Sequence, residues 1–110
     1  MQEPTDRGLD RVLLNPKRFM IATILYLRGP STMSDLQRIL DMSWGDLDSS
    51  IRRMKKEGYV ESKKIITPLG PRTLVRLTRQ GYERYKELLD ILEGIISGVK
   101  REAEDRRIPE

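Results

Sequence analysis

Residues 43–65 read SWGDLDSSIRRMKKEGYVESKKI, and the spacing of their apolar side chains changes in mid-stretch. Ser43 followed three residues later by Asp46 has the spacing of a capping box, with Asp in place of the usual Glu or Gln. Leu47, Ile51 and Met54 then recur at helical intervals, and Gly58 supplies the left-handed stop. Beyond Gly58 the period falls to about 2, and Tyr59-Val60-Glu61-Ser62-Lys63-Lys64-Ile65 reads as a strand with one wet face. A basic helix therefore runs directly into an extended segment.

On the C-terminal side, Thr67-Pro68-Leu69-Gly70-Pro71 is a turn-rich tip and Thr73-Leu74-Val75-Arg76-Leu77 a returning strand. Thr78 then caps a final helix predicted from Arg79 to about Glu104. On the N-terminal side, Asn15 as N-cap and Pro16 at the first helical position open a helix that Gly29-Pro30 closes. Phe19, Met20, Thr23, Ile24 and Leu27 mark its expected inward face. Ser34 and Gln37 repeat the capping-box spacing for a short helix ending near Asp41, with Leu36, Ile39 and Leu40 inward. Leu9, Val12 and Leu13 predict one more short helix, after a loose polar opening over residues 1–8. The expected fold class is α+β, mainly α with a small β-hairpin.

At 110 residues the chain holds one domain and no large cofactor fold. Cysteine and histidine are both absent. That removes disulfides, thiolate nucleophiles, the usual zinc and haem ligands and the common general base near neutral pH. The seven serines have no histidine partner, and neither a Gly-rich phosphate loop nor a calcium-loop spacing occurs. No enzyme activity, no cofactor and no metal are expected. No apolar run approaches the length of a membrane span and no signal-type segment follows Met1, so a cytoplasmic location is expected. Asn15, Gln2, Gln37 and Gln80 are the only amide side chains, and with abundant Lys, Arg and Glu this composition leans towards a thermophile source.

The net charge of +4 is unevenly placed. Residues 43–80 carry nine Lys or Arg against four acids, whereas the rest of the chain carries 12 against 13. Such a confined positive stretch is what a phosphate-facing surface requires, although an ordinary solvated face can carry it too.

Helix, short helix, helix, hairpin, long helix is the order of a winged helix-turn-helix domain. The string from Asn15 to Thr78 resembles the winged-helix transcriptional regulators of the MarR/ArsR-like kind common in archaea. The matching pieces are Asn15-Pro16-Lys17-Arg18, Arg28-Gly29-Pro30, Ser34-Asp35-Leu36, Lys56-Glu57-Gly58-Tyr59-Val60 and Arg72-Thr73-Leu74-Val75-Arg76-Leu77-Thr78. On this reading residues 9–78 form the DNA-binding domain and residues 79–110 a dimerisation helix and tail. The resemblance implies a homodimeric, sequence-specific regulator of double-stranded DNA, acting as a repressor by occlusion. The alternative is a winged helix that serves as a protein-interaction module.

Steps of about 100° from Leu47 put Gly45, Ser49, Arg52, Arg53 and Lys56 on the outward face of the third helix. With Ser43, Asp46 and Ser50 they form the expected recognition-helix set, which a helix-turn-helix protein presents to the major groove. Asp46 and Asp48 oppose phosphate binding, unless they serve only the helix cap and dipole or accept from cytosine. Trp44 is expected to pack at the helix start rather than stack on bases. Lys63, Lys64, Arg72 and Thr73 are the expected wing contacts, and the resemblance implies that the tip reaches the minor groove. Tyr82, Tyr85, Leu89, Leu92, Ile96, Val99 and Ala103 follow an unbroken 3-4 spacing, the seam of a paired helix. Leu88, Ile91 and Ile95 widen that stripe, and residues 9–14 are expected to pack across it. A small effector between subunits is left open, but the missing Cys and His argue against soft-metal or thiol sensing.

Overall fold

The computed structural model describes residues 8–106; residues 1–7 of the expected loose opening and residues 107–110 of the tail lie outside them. The elements run α1 (Pro16–Arg28), β1 (Ser31–Thr32), α2 (Met33–Leu40), α3 (Trp44–Lys56), β2 (Val60–Thr67), β3 (Gly70–Leu77) and α4 (Arg79–Arg106). This is a winged helix with a long C-terminal helix. The sheet has three antiparallel strands in the order β1-β3-β2, because Ser31 and Thr32 pair with Val75 and Leu74.

Caps fix most of the boundaries. Asn15 accepts from the Lys17 and Arg18 backbone N–H groups, and Ser43 accepts from that of Asp46. At the end of α3 the N–H of Gly58 donates to Lys55 and that of Tyr59 to Met54, a Schellman pair with Gly58 at φ 84°. For α2 the cap is Thr32, not Ser34: β1 holds Thr32 extended, so its hydroxyl accepts from the Asp35 N–H.

The core lies between α1, α2, α3 and the sheet, with Ile21, Ala22, Leu25, Leu36, Leu47, Met54 and Val75 buried. The inward stripe of α1 is thus Ile21, Ala22 and Leu25. Of the expected stripe, Met20 and Leu27 are exposed, while Phe19 and Thr23 turn to α4 and meet Tyr85. The expected helix over residues 9–14 is instead a single turn. The Asp10 carboxylate accepts from the Val12 and Leu13 N–H groups and drives both side chains into the core.

One junction sets the relation of α3, the hairpin and α4. The Thr78 N–H donates to the Tyr59 carbonyl, its hydroxyl donates to the Gly58 carbonyl, and the same oxygen accepts from the Gly81 N–H. A Cβ on Gly81 would stand 2.1 Å from the Tyr59 carbonyl oxygen, so only glycine lets the first turn of α4 come this close. From there α4 crosses the domain and projects beyond it, giving the molecule a long axis of 58 Å.

Candidate nucleic-acid interface

The outward face of α3 follows from its inward one. Burying Leu47, Ser50, Ile51 and Met54 turns Asp48, Ser49, Arg52, Arg53 and Lys56 outward, where they line one shallow open groove. Gly45 is exposed near the start of the same helix, with nothing within 4 Å of where its side chain would be. Ser50 departs from the expected set: it is buried on the opposite side and cannot reach a groove floor. Ser43 is exposed, but its hydroxyl is occupied by the cap.

The two acids that threatened this surface are both paired. Asp46 Oδ2 lies 2.6 Å from Lys17 Nζ, and the lysine hydrogen bond and charge hold its carboxyl below the ordinary carboxylate value. Asp48 pairs with Arg52 at 2.5 Å, one helical turn away. Arg53 pairs with Glu57 and Arg76 with Glu61. Exposed pairs of this kind contribute about 0–1 kcal/mol, so Arg52 and Arg53 can exchange a carboxylate for a phosphate or guanine at small cost. The remaining cations of the stretch carry the net charge. Lys56, Lys63, Lys64 and Arg72 have no carboxylate partner among the described residues, and Lys55 donates only to the Ser62 hydroxyl.

The hairpin register decides where the wing residues point. Lys64 opposes Thr73 on the face that also carries Ser62 and buried Val75, next to Lys55 of α3. Lys63 opposes Leu74 and Arg72 opposes Ile65, on the outer face. The four expected wing residues are thus divided between two faces of one ribbon, and the Arg72 guanidinium donates back to the Pro71 carbonyl at 2.8 Å. The tip beyond them is apolar: Ile66 and Leu69 are 83% and 82% exposed. Trp44 is 55% exposed and does not serve as the packed staple expected of it.

The seam residues of α4 divide in the same manner. Tyr85 is buried within the domain against Phe19 and Tyr26, and Tyr82 stacks on Tyr26 at 4.8 Å. Leu89 and Leu92 pack partly on the core, whereas Ile95, Ile96, Val99 and Ala103 are exposed on the projecting part. Phe19, Leu89, Leu92 and Ile96 line an apolar groove of about 560 Å³. At the N-terminal turn Asp10 meets Tyr59 and Arg84, and Gly8 before it lies against Ile91 of α4.

Asp10 is the hub that sequence reasoning missed. Burial works to raise its pKa, but hydrogen bonds from Tyr59, the Leu13 N–H, Arg84 and the Val12 N–H outweigh it and hold the carboxyl below 3.8. Its local bonds to the Val12 and Leu13 N–H groups are of a kind a sequence can show, but its partners Tyr59 and Arg84 lie 49 and 74 residues away.

No helix among the described residues is long and apolar enough to cross a membrane. No group of three potential metal-ligating side chains converges among them either. Comparison with known proteins agrees with the geometry. Residues 17–96 match the family model of the winged helix DNA-binding domain. A transcriptional regulator homologue from Pyrococcus horikoshii OT3 is 34% identical, with a TM-score of 0.81 over 89% of this chain and 98% of that one. A protein assigned to the MarR family of transcriptional regulators, from Enterococcus faecalis V583, is 22% identical at a TM-score of 0.75, over 94% of both chains. A PadR-family regulator from Eggerthella lenta DSM 2243 is 21% identical at a TM-score of 0.64, over 84% of this chain and 88% of that one. No curated protein matches the sequence. With its matched region spanning 80 of 110 residues, the chain belongs to the winged helix DNA-binding domain family.

Proposed function

We propose that this chain is a homodimeric transcription regulator that binds specific double-stranded DNA in the cytoplasm and represses by occluding promoters. The observation that supports it most is the exposed face of α3. Small Gly45 and Ser49 leave room for a close approach, while Arg52, Arg53 and Lys56 supply cations beside them. In this reading α3 enters the major groove, Ser49 and Arg52 or Arg53 meet base edges, and Lys63, Lys64, Arg72 and Thr73 hold the adjacent backbone and minor groove. Dimerisation through exposed Ile95, Ile96 and Val99 would place two recognition helices about 34 Å apart, matching an inverted repeat.

The test is selection of bound duplexes from a random pool, followed by a salt titration of the winner. Enrichment of an inverted repeat is expected, with a log–log salt slope of about −4 or steeper as cation–phosphate contacts release counterions. A pool without enrichment, or a flat salt dependence, would reject this reading in favour of a protein-interaction module.

A further inference from the structure

The wing does not end in a cation. Its tip is the turn Pro68-Leu69 between Thr67 and Gly70; the two most exposed large apolar side chains among the described residues are Leu69 on that turn and Ile66, paired with Pro71 one position behind Thr67. Nothing among the described residues covers them. The tip is also braced. Thr67 Oγ1 donates to the Gly70 carbonyl at 2.7 Å and accepts from the Leu69 N–H, while Pro68 and Pro71 restrict the backbone on either side of Leu69. Little conformational freedom is left to lose on binding. Behind the tip stand Lys63, Lys64 and Arg72, none with a carboxylate partner among the described residues.

A stiff apolar point with a cationic collar complements a nucleic-acid groove, which has phosphates along both rims and stacked bases between them. Resting on the proposed DNA-binding function, we propose that the wing tip is a wedge: Leu69 and Ile66 insert at a base step of the minor groove, partly unstack it and kink the duplex, while the collar holds the flanking phosphates. Apolar side chains used in this way bend DNA by about 20–90°. Flexible pyrimidine–purine steps cost least to open, so the wedge favours such a step beside the half-site read by α3. Because Thr78 bonds the base of the hairpin to the Gly58 and Tyr59 carbonyls that follow α3, the ribbon leaves the recognition helix at a defined place, and the step it meets lies at a set distance from that half-site.

The experiment uses a duplex of about 24 base pairs, about 80 Å long, selected by the protein itself, carrying a donor and an acceptor dye at its two ends, and compares the wild type with Ile66→Ser/Leu69→Ser. Both positions are exposed, so the variant keeps the wild-type melting temperature. Wild type should raise energy transfer between the ends. The variant should bind about tenfold more weakly with an unchanged salt slope and leave the duplex straight. Wild-type binding without bending overturns the wedge but leaves the DNA-binding reading intact, as does a variant that still bends. Failure of wild type to bind any duplex overturns both. Loss, in the variant alone, of binding to phosphatidylserine-containing vesicles, with no bending by wild type, would assign the tip to a membrane surface and also overturn the wedge.

Discussion

Lys17 at the start of α1 holds Asp46 in the first turn of α3, Nζ to Oδ2 at 2.6 Å. Two helix N-termini are thereby joined through a carboxylate that would otherwise stand unpaired beside an approaching phosphate. Lys17→Met should weaken duplex binding severalfold, most at low salt, because it uncovers that charge. Asp46→Asn in the Lys17→Met background should restore the loss, since Ser43 caps the backbone of residue 46 whatever its side chain. Gel-shift titration at two salt concentrations checks both.

Asp10 ties the N-terminal turn to Tyr59, which precedes β2, and to Arg84 of α4. Asp10→Ala leaves the Val12 and Leu13 N–H groups, the Tyr59 hydroxyl and Arg84 without their shared acceptor, and should cost about 3–5 kcal/mol in urea unfolding. The folded carboxyl has a lowered pKa, so the unfolded chain binds the proton first as pH falls. Its contribution is therefore complete at neutral pH and lost as pH drops below about 4. The gap in melting temperature between the wild type and Asp10→Asn should narrow as pH falls from about 7 to about 3.

Gly81→Ala forces a Cβ against the Tyr59 carbonyl, a backbone atom that cannot step aside. A loss of about 1–3 kcal/mol is expected. Gly94→Ala, with nothing within 4 Å, should stabilise α4 by about 1 kcal/mol. Opposite signs in paired denaturation curves are the expected outcome.

Dimerisation is best tested where α4 leaves its own domain. Leu92 packs partly on the core, so a charge there would disturb folding as well as pairing. Ile96→Glu with Val99→Glu alters only exposed positions, 52% and 62% accessible. Sedimentation should show a wild-type dimer and a folded monomeric variant; a monomeric wild type rejects the seam.

Arg72→Ala should weaken duplex binding by about 1–2 kcal/mol and leave the melting temperature unchanged, because the side chain bonds only to its neighbour's carbonyl. A collapse in thermal stability would make Arg72 a structural residue.

The elements that announce themselves locally were legible. Asn15-Pro16, Ser43 with Asp46, Gly58 and Thr78 each satisfy backbone groups within a few residues, so their meaning survives without the fold. The outward grouping of Ser49, Arg52, Arg53 and Lys56 was equally open to helical arithmetic. What escaped depends on distant partners. β1 is two residues long, too short to show a period, and exists because β3 is there. In α1 nearly every residue from Phe19 to Leu27 is apolar, so two stripes compete; small Ala22 lets the Ile21–Leu25 stripe win the tight side. Thr32 and Ser34 are both sound caps, and only the strand pairing chooses between them. Tyr82 and Tyr85 obey the seam spacing because packing on one's own domain and pairing with another copy demand the same apolar stripe.

Thr78 holds the residues that follow α3, anchors the hairpin and opens α4 through four hydrogen bonds around one residue. A helix fastened so tightly at its root cannot swivel independently of the reading head. In a pair of chains joined along α4, the separation and twist of the two heads are then inherited from the helix crossing, as the jaws of a fixed caliper are set by its beam. Such a device measures as well as reads. Inserting one base pair between half-sites rotates one against the other by about a tenth of a turn, and this root offers no slack to follow it.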